Sequence, residues 1–149
     1  MLTAEFTATF HAPIERAWEL LTDYPGYARL PGVESARVLE PGRDHPAGVG
    51  ALREIKLNGI TFVERIEAFE PPHRLTYKIV TSKPITLDHE LGVVQLSVRD
   101  GATCLHWKTT FAVAVPLIGG PLTHIARALM QRAFGQILSF VKTELESAV

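Results

Sequence analysis

Arg53 and Glu64 stand five residues to either side of Asn58-Gly59. A two-residue turn at such a dipeptide is a strong hairpin signal, and it makes the flanking residues cross-strand neighbours in order. Leu57 then faces Ile60, Ile55 faces Phe62, and Arg53 faces Glu64. The face holding Ile55, Leu57, Ile60, Phe62 and Ile66 is the more apolar one, so the arginine and the carboxylate share it. Such a pair is either an ion pair near the edge of a sheet or a polar anchor inside a pocket. Buried, it needs good geometry to offset desolvation.

A second ionisable group comes from the stretch TLDHELGVVQL, residues 86–96. An Asp100-Gly101 turn pairs Leu96 with Leu105 and Val94 with Trp107. Continued without a break, that register turns Glu90 and Asp88 inward against Phe111 and Val113, which is costly for unpaired carboxylates. A bulge at Gly92-Val93 flips the parity beyond it, because glycine within a strand often marks one. Leu87, His89 and Leu91 then point in, and both acids point out. The bulged reading buries more apolar side chains and is preferred; the regular register stays open.

Arg53, Glu64, Tyr77 and His89, with Thr109 beyond, form the candidate polar cluster. Within an apolar pocket it could fix the oxygens of a ligand. A histidine near a carboxylate can also titrate near neutrality, so His89, Glu64 and Tyr77 are the candidates for acid/base work, with no catalytic residue assigned. His89 can equally be a satisfied core or rim histidine. The expected apolar lining is Ile55, Phe62, Ile79, Leu91, Trp107 and Phe111 from strands, and Leu129, Met130, Ala133, Phe134 and Ile137 from a helix.

Other chemistries lack their signals. No HxxxH or CxxC spacing occurs, and Cys104 and His106 alone on one strand face do not make a metal site. There is no phosphate-binding loop, no GxGxxG and no GxSxG elbow, so no metal or cofactor is expected. The net charge of −1 gives no general field for nucleic acid. Tyr24, Tyr27 and Trp18 therefore read as packing residues rather than a base-stacking platform. A single cysteine excludes an internal disulfide and fits a cytoplasmic location. No apolar run is long enough for a transmembrane segment, and the N-terminus lacks the pattern of a signal peptide.

The elements that position these residues follow from periodicity. The 149 residues fit a single domain, 1–149, with 46% hydrophobic and 21% charged residues, a globular balance. Residues 2–10 alternate as a half-buried strand. Pro13 opens a helix with Ala17, Trp18, Leu20 and Leu21 on one stripe, and Pro25-Gly26 ends it; a second short helix is expected near Tyr27–Leu30. Strands follow at about 33–40, 50–57, 60–69, 74–81, 86–98 and 103–115, as an antiparallel meander. Pro121 opens a long helix to about Ser147, whose stripe is wide enough to lie fully against a sheet. Gly135, on its exposed face, should cost about 1 kcal/mol relative to Ala. A twisted sheet wrapped on one helix mates imperfectly with it and tends to leave an internal cavity.

The chain resembles the helix-grip superfamily known as SRPBCC or START-like. The residues that carry the likeness are FHAPIERAWELLTDYPGYARLPGV, ERIEAFEPPHRLTY, LSVRDGATCLHWKTTF and the closing RALMQRAFGQILSFVKTELE, together nearly the whole chain. The superfamily includes START lipid-transfer domains, birch-pollen-allergen-like proteins, polyketide cyclases/dehydrases and coenzyme Q-binding proteins. The resemblance implies an α+β helix-grip fold: a seven-stranded curved antiparallel sheet around a long C-terminal helix, with two short helices after strand 1. It has no universal catalytic residue to carry over, and a fold shared by carriers, receptors and enzymes does not fix a function. The leading expectation is a binder of a hydrophobic small molecule of polyketide, isoprenoid quinone or lipid class. The alternative is a polyketide cyclase/dehydrase in which His89 or Glu64 acts as general base while Tyr77 or Arg53 polarises a carbonyl. A third reading is a coenzyme Q-binding-like chaperone. No nucleic-acid partner is expected, and a homodimer is left open.

Overall fold

A computed structural model describes residues 1–147. Strand β1 (Leu2–Phe10) leads into helix α1 (Ile14–Thr22) and a 3-10 turn (Pro25–Arg29). Six strands follow: β2 (Val33–Glu40), β3 (Leu52–Leu57), β4 (Ile60–Glu70), β5 (Arg74–Lys83), β6 (Leu87–Arg99) and β7 (Ala102–Val113). Helix α2 (Gly119–Ser147) closes the chain. The fold is the seven-stranded antiparallel helix-grip arrangement, with one correction: the second short helix after β1 is only the 3-10 turn.

The sheet runs β1-β7-β6-β5-β4-β3-β2, a meander whose last strand pairs back with its first. Two tight turns set its register. Asn58 and Gly59 both have positive φ, as do Asp100 and Gly101, which is the backbone that matches the twist of adjoining strands. Leu57 accordingly pairs with Ile60 and Arg53 with Glu64, while Leu96 pairs with Leu105 and Val94 with Trp107. Phe10, Ile66, Leu75, Leu105 and Phe111 are fully buried on the concave side.

Helix α2 is supported unevenly. Its C-terminal third buries Ile137, Leu138, Val141 and Leu145. Around them Lys142 Nζ donates to the Thr9 carbonyl at 2.8 Å, Arg29 pairs with Glu144 at 2.8 Å, and the His11 amide donates to Glu146 at 2.9 Å. At the other end the buried Thr123 hydroxyl accepts from the Val113 amide at 2.8 Å and donates to the Gly119 carbonyl. Between these anchors Ile125 and Leu129 are 56% and 64% exposed. The expectation that the stripe lies fully against the sheet is thus corrected: Leu129, in the middle of that stripe, stands off it, while Phe134 reaches Phe6 and Trp107. A Cβ added at Gly135 would meet nothing within 4 Å, so that glycine answers no packing need.

Candidate functional site

A cavity of about 880 Å³ fills the space under the middle of α2. Its walls are mainly apolar: Ile55, Phe62, Ile79, Trp107 and Phe111 from the sheet, and Leu129, Met130, Ala133, Phe134 and Ile137 from the helix. Leu20, Leu21 and Leu30, from α1 and the turn after it, also line it. Nothing in their local pattern sets these apart from ordinary core residues. Trp107 and Phe134 meet edge to face with centroids 4.3 Å apart, tying the sheet wall to the helix wall.

Arg53 and Glu64 sit together at the closed end. Both are more than nine-tenths buried, and both line the cavity. Arg53 Nε donates to Oε1 of Glu64 at 2.9 Å, and Nη2 lies 2.8 Å from the same oxygen as an ion pair. Its guanidinium lies 4.6 Å from the ring centre of Tyr24, 5.1 Å from Tyr77 and 5.7 Å from Tyr27, a cage of three aromatic faces. Burial works against the arginine's charge, but the Glu64 carboxylate beside it outweighs this and holds the group protonated beyond its usual range. Burial also raises the Tyr24, Tyr27 and Tyr77 hydroxyls above the ordinary phenol range. The packing roles of Tyr24 and Tyr27 expected from sequence therefore include a second task, walling in a cation. Tyr24 further donates to the Ala47 carbonyl at 2.7 Å, which pins the loop after β2 over this end.

His89 is buried, and Asp88 and Glu90 are exposed, as the preferred parity requires. The device that produces it differs from the expected one. The register shift falls between His89 and Leu91, so Glu90 is the extra residue rather than Gly92-Val93. Two corrections follow. Leu91 pairs with Thr110 and does not line the cavity; it belongs to the opposite face. Gly92 pairs with Tyr77 and seats its ring: an added Cβ would come 2.1 Å from Tyr77 Cζ.

His89 also does not line the cavity. The β5–β6 ladder runs only from Arg74 to Tyr77, and the imidazole fills the gap beyond it. Its Nδ1 accepts from the Ile79 amide at 3.0 Å, which leaves the ring proton of the neutral form on Nε2, 2.8 Å from Thr109 Oγ1. The ring stacks on Tyr77 with centroids 5.6 Å apart. Burial, then the charge of Lys78, pushes the imidazole pKa down to about 4. His89 is a neutral ring with both nitrogens occupied. Tyr77 and Thr109, which do line the cavity, stand between it and the ligand space, Tyr77 accepting from Trp107 Nε1 at 2.9 Å.

The other end of the cavity opens to solvent. Ile85, Val115, Ile125 and Leu129 are lining residues that remain exposed, and Leu117 in the neighbouring loop is wholly so. Arg132 and Gln136 are the polar side chains of α2 at this rim. Among the described residues no three His, Cys, Asp or Glu side chains converge to hold a metal ion, and no helix is long and apolar enough to cross a membrane.

A family model described as polyketide cyclase / dehydrase and lipid transport matches residues 1–146. No curated protein matches the sequence. Among solved structures, TTHA0849 from Thermus thermophilus is similar at a TM-score of 0.79 and 19% identity, over 97% of each chain. A START superfamily protein from Mycobacterium smegmatis gives 0.74 and 12%, over 95% of this chain and 97% of that one. The protein XoxI from Bacillus cereus gives 0.73 and 21%, over 97% and 96%. At these identities the likeness carries the fold alone.

Proposed function

Because the chain belongs to the polyketide cyclase/dehydrase and lipid transport family, we propose that it acts as one domain that binds a single apolar small molecule of polyketide, isoprenoid quinone or lipid class beneath α2. The observation that carries this reading is the cavity itself: about 880 Å³, walled by aliphatic and aromatic side chains, with its buried charged pair confined to one end. That is the usual composition of a small-molecule site, in which apolar area supplies affinity and a few polar groups supply orientation.

Binding without conversion is favoured over cyclase chemistry by the fate of the expected bases. His89 has both ring nitrogens engaged and lies behind Tyr77 and Thr109. Glu64 is held in an ion pair with Arg53, which fixes its carboxylate at the wall of the cavity. Affinity then rests on contact with Trp107, Phe111, Met130, Phe134 and Ile137.

The test is fluorescence titration with phenylnaphthylamine, a neutral apolar probe, on the wild type and on Ala133→Trp. Ala133 lines the middle of the cavity, and an indole there occupies the ligand's space. Saturable one-to-one binding that drops at least about tenfold in the folded variant is expected. Absence of saturable binding, or binding indifferent to Ala133→Trp, would overturn the reading. Conversion of a bound polyketide by the wild type would replace it with the cyclase alternative.

A further inference from the structure

The closed end of the cavity holds one polar atom that the fold leaves unused. Glu64 Oε1 takes both close contacts from Arg53, and no hydrogen bond to Oε2 is found among the described residues. Oε2 is not sealed off either, since no enclosed side-chain oxygen or nitrogen among the described residues lacks a partner. Glu64 lines the cavity and is 8% exposed, so this oxygen is an acceptor turned toward the ligand space.

Two neighbouring phenols are already committed as donors. Tyr24 donates to the Ala47 carbonyl and Tyr27 to the Leu21 carbonyl. The Tyr77 hydroxyl accepts from Trp107 Nε1 at 2.9 Å. Arg53 spends its charge on Glu64 inside the tyrosine cage. A ligand that engages Glu64 Oε2 must therefore bring its own hydrogen-bond donor. A carboxylate brings only acceptors and a second negative charge beside Glu64, with no uncompensated cation to meet it. An ammonium would add a second positive charge beside Arg53 in a dry site.

We propose that Glu64 selects ligands whose buried end carries a neutral hydroxyl, and rejects carboxylate-headed ligands such as free fatty acids. This rests on the binding reading above and names the class of head group that the site takes. The hydroxyl donates to Glu64 Oε2, a charge-assisted bond in a water-poor pocket, while the apolar body runs toward the mouth.

Three ligands of one ring skeleton test it: naphthol, its methyl ether and naphthoate, substituted at the same position. Each competes with phenylnaphthylamine near pH 7, where the first is neutral and the last anionic. Naphthol is expected to displace the probe at concentrations about tenfold or more below the ether, the worth of one charge-assisted hydrogen bond, and naphthoate to be the weakest of the three. An ether as good as naphthol, or naphthoate equal to or better than naphthol, overturns the proposal using wild-type protein alone. In Glu64→Gln, which leaves the arginine uncompensated, naphthoate should gain on naphthol; an unchanged order in the folded variant also overturns it. If the probe itself fails to bind wild type, the binding reading falls and takes this inference with it. If the probe binds and the head-group order is wrong, only this inference falls.

Discussion

At the closed end of the cavity, a charged pair is enclosed by aromatic rings where a core would ordinarily be aliphatic. At the mouth, Ile85, Val115, Ile125 and Leu129 stand in contact with water where a surface would ordinarily be polar. Both ends thus invert the usual partition of side chains, in opposite directions. The closed end is costly to disturb because desolvated charges depend on each other. The mouth is cheap to disturb, because its side chains have not yet left water. The difference separates what holds the protein together from what holds a ligand.

The sharpest way to break that contrast is Arg53→Met. It strands a buried carboxylate and should cost about 3–5 kcal/mol in urea unfolding. The double change Arg53→Met with Glu64→Met should lie closer to wild type than the single one, since no charge is then left alone. A single-variant loss of well under 1 kcal/mol would mean that the closed end is not dry.

His89→Phe gives an intermediate effect. It removes the acceptor of the buried Ile79 amide, and an unsatisfied buried donor costs about 1–3 kcal/mol. It also changes the pH dependence. The folded imidazole pKa of about 4 lies below the ordinary 6.5, so between these values the unfolded chain binds more protons than the folded one. Wild-type stability should therefore fall as pH drops from about 6.5 toward 4, and that contribution should be missing from the variant. Parallel stability-versus-pH curves for the two proteins would refute the neutral, structural role of His89.

The smallest effect belongs to the mouth. Leu129→Ser and Leu117→Ser should each shift unfolding by no more than about 0.5 kcal/mol, because neither side chain loses much burial. A loss of several kcal/mol for Leu129→Ser would show that the middle of α2 closes down in solution.

The parts of the molecule that sequence made legible are those governed by local chemistry. Asn58-Gly59 and Asp100-Gly101 specify left-handed turn backbones, and the pairings of Arg53 with Glu64 and of Leu96 with Leu105 follow by counting outward. Gly92 was misleading for a non-local reason. A glycine that relaxes a strand and one that seats an aromatic ring look alike, and the ring belongs to Tyr77 on the next strand. Placing the extra residue at Glu90 reverses Leu91 while leaving His89 inward, so one parity expectation failed where its neighbour held. His89's removal from the cavity wall depends on where the β5–β6 ladder ends, which no residue near it signals. The stripe of α2 could likewise be read from its period, but periodicity records which face is apolar and not what stands opposite. Over residues 125–134 what stands opposite is the cavity.

Helix α2 is held as a bridge, by Thr123 near its start and by the packed residues from Ile137 to Leu145 near its end. Between those supports the helix meets the sheet through the Phe134 ring on Phe6 and Trp107, so that span can lift at a free energy below that of unfolding the whole domain. Residence time of a ligand and lifetime of the fold are then set by different contacts. Amide exchange should reveal this as a fast-exchanging central segment in a helix whose final turns exchange as slowly as the sheet.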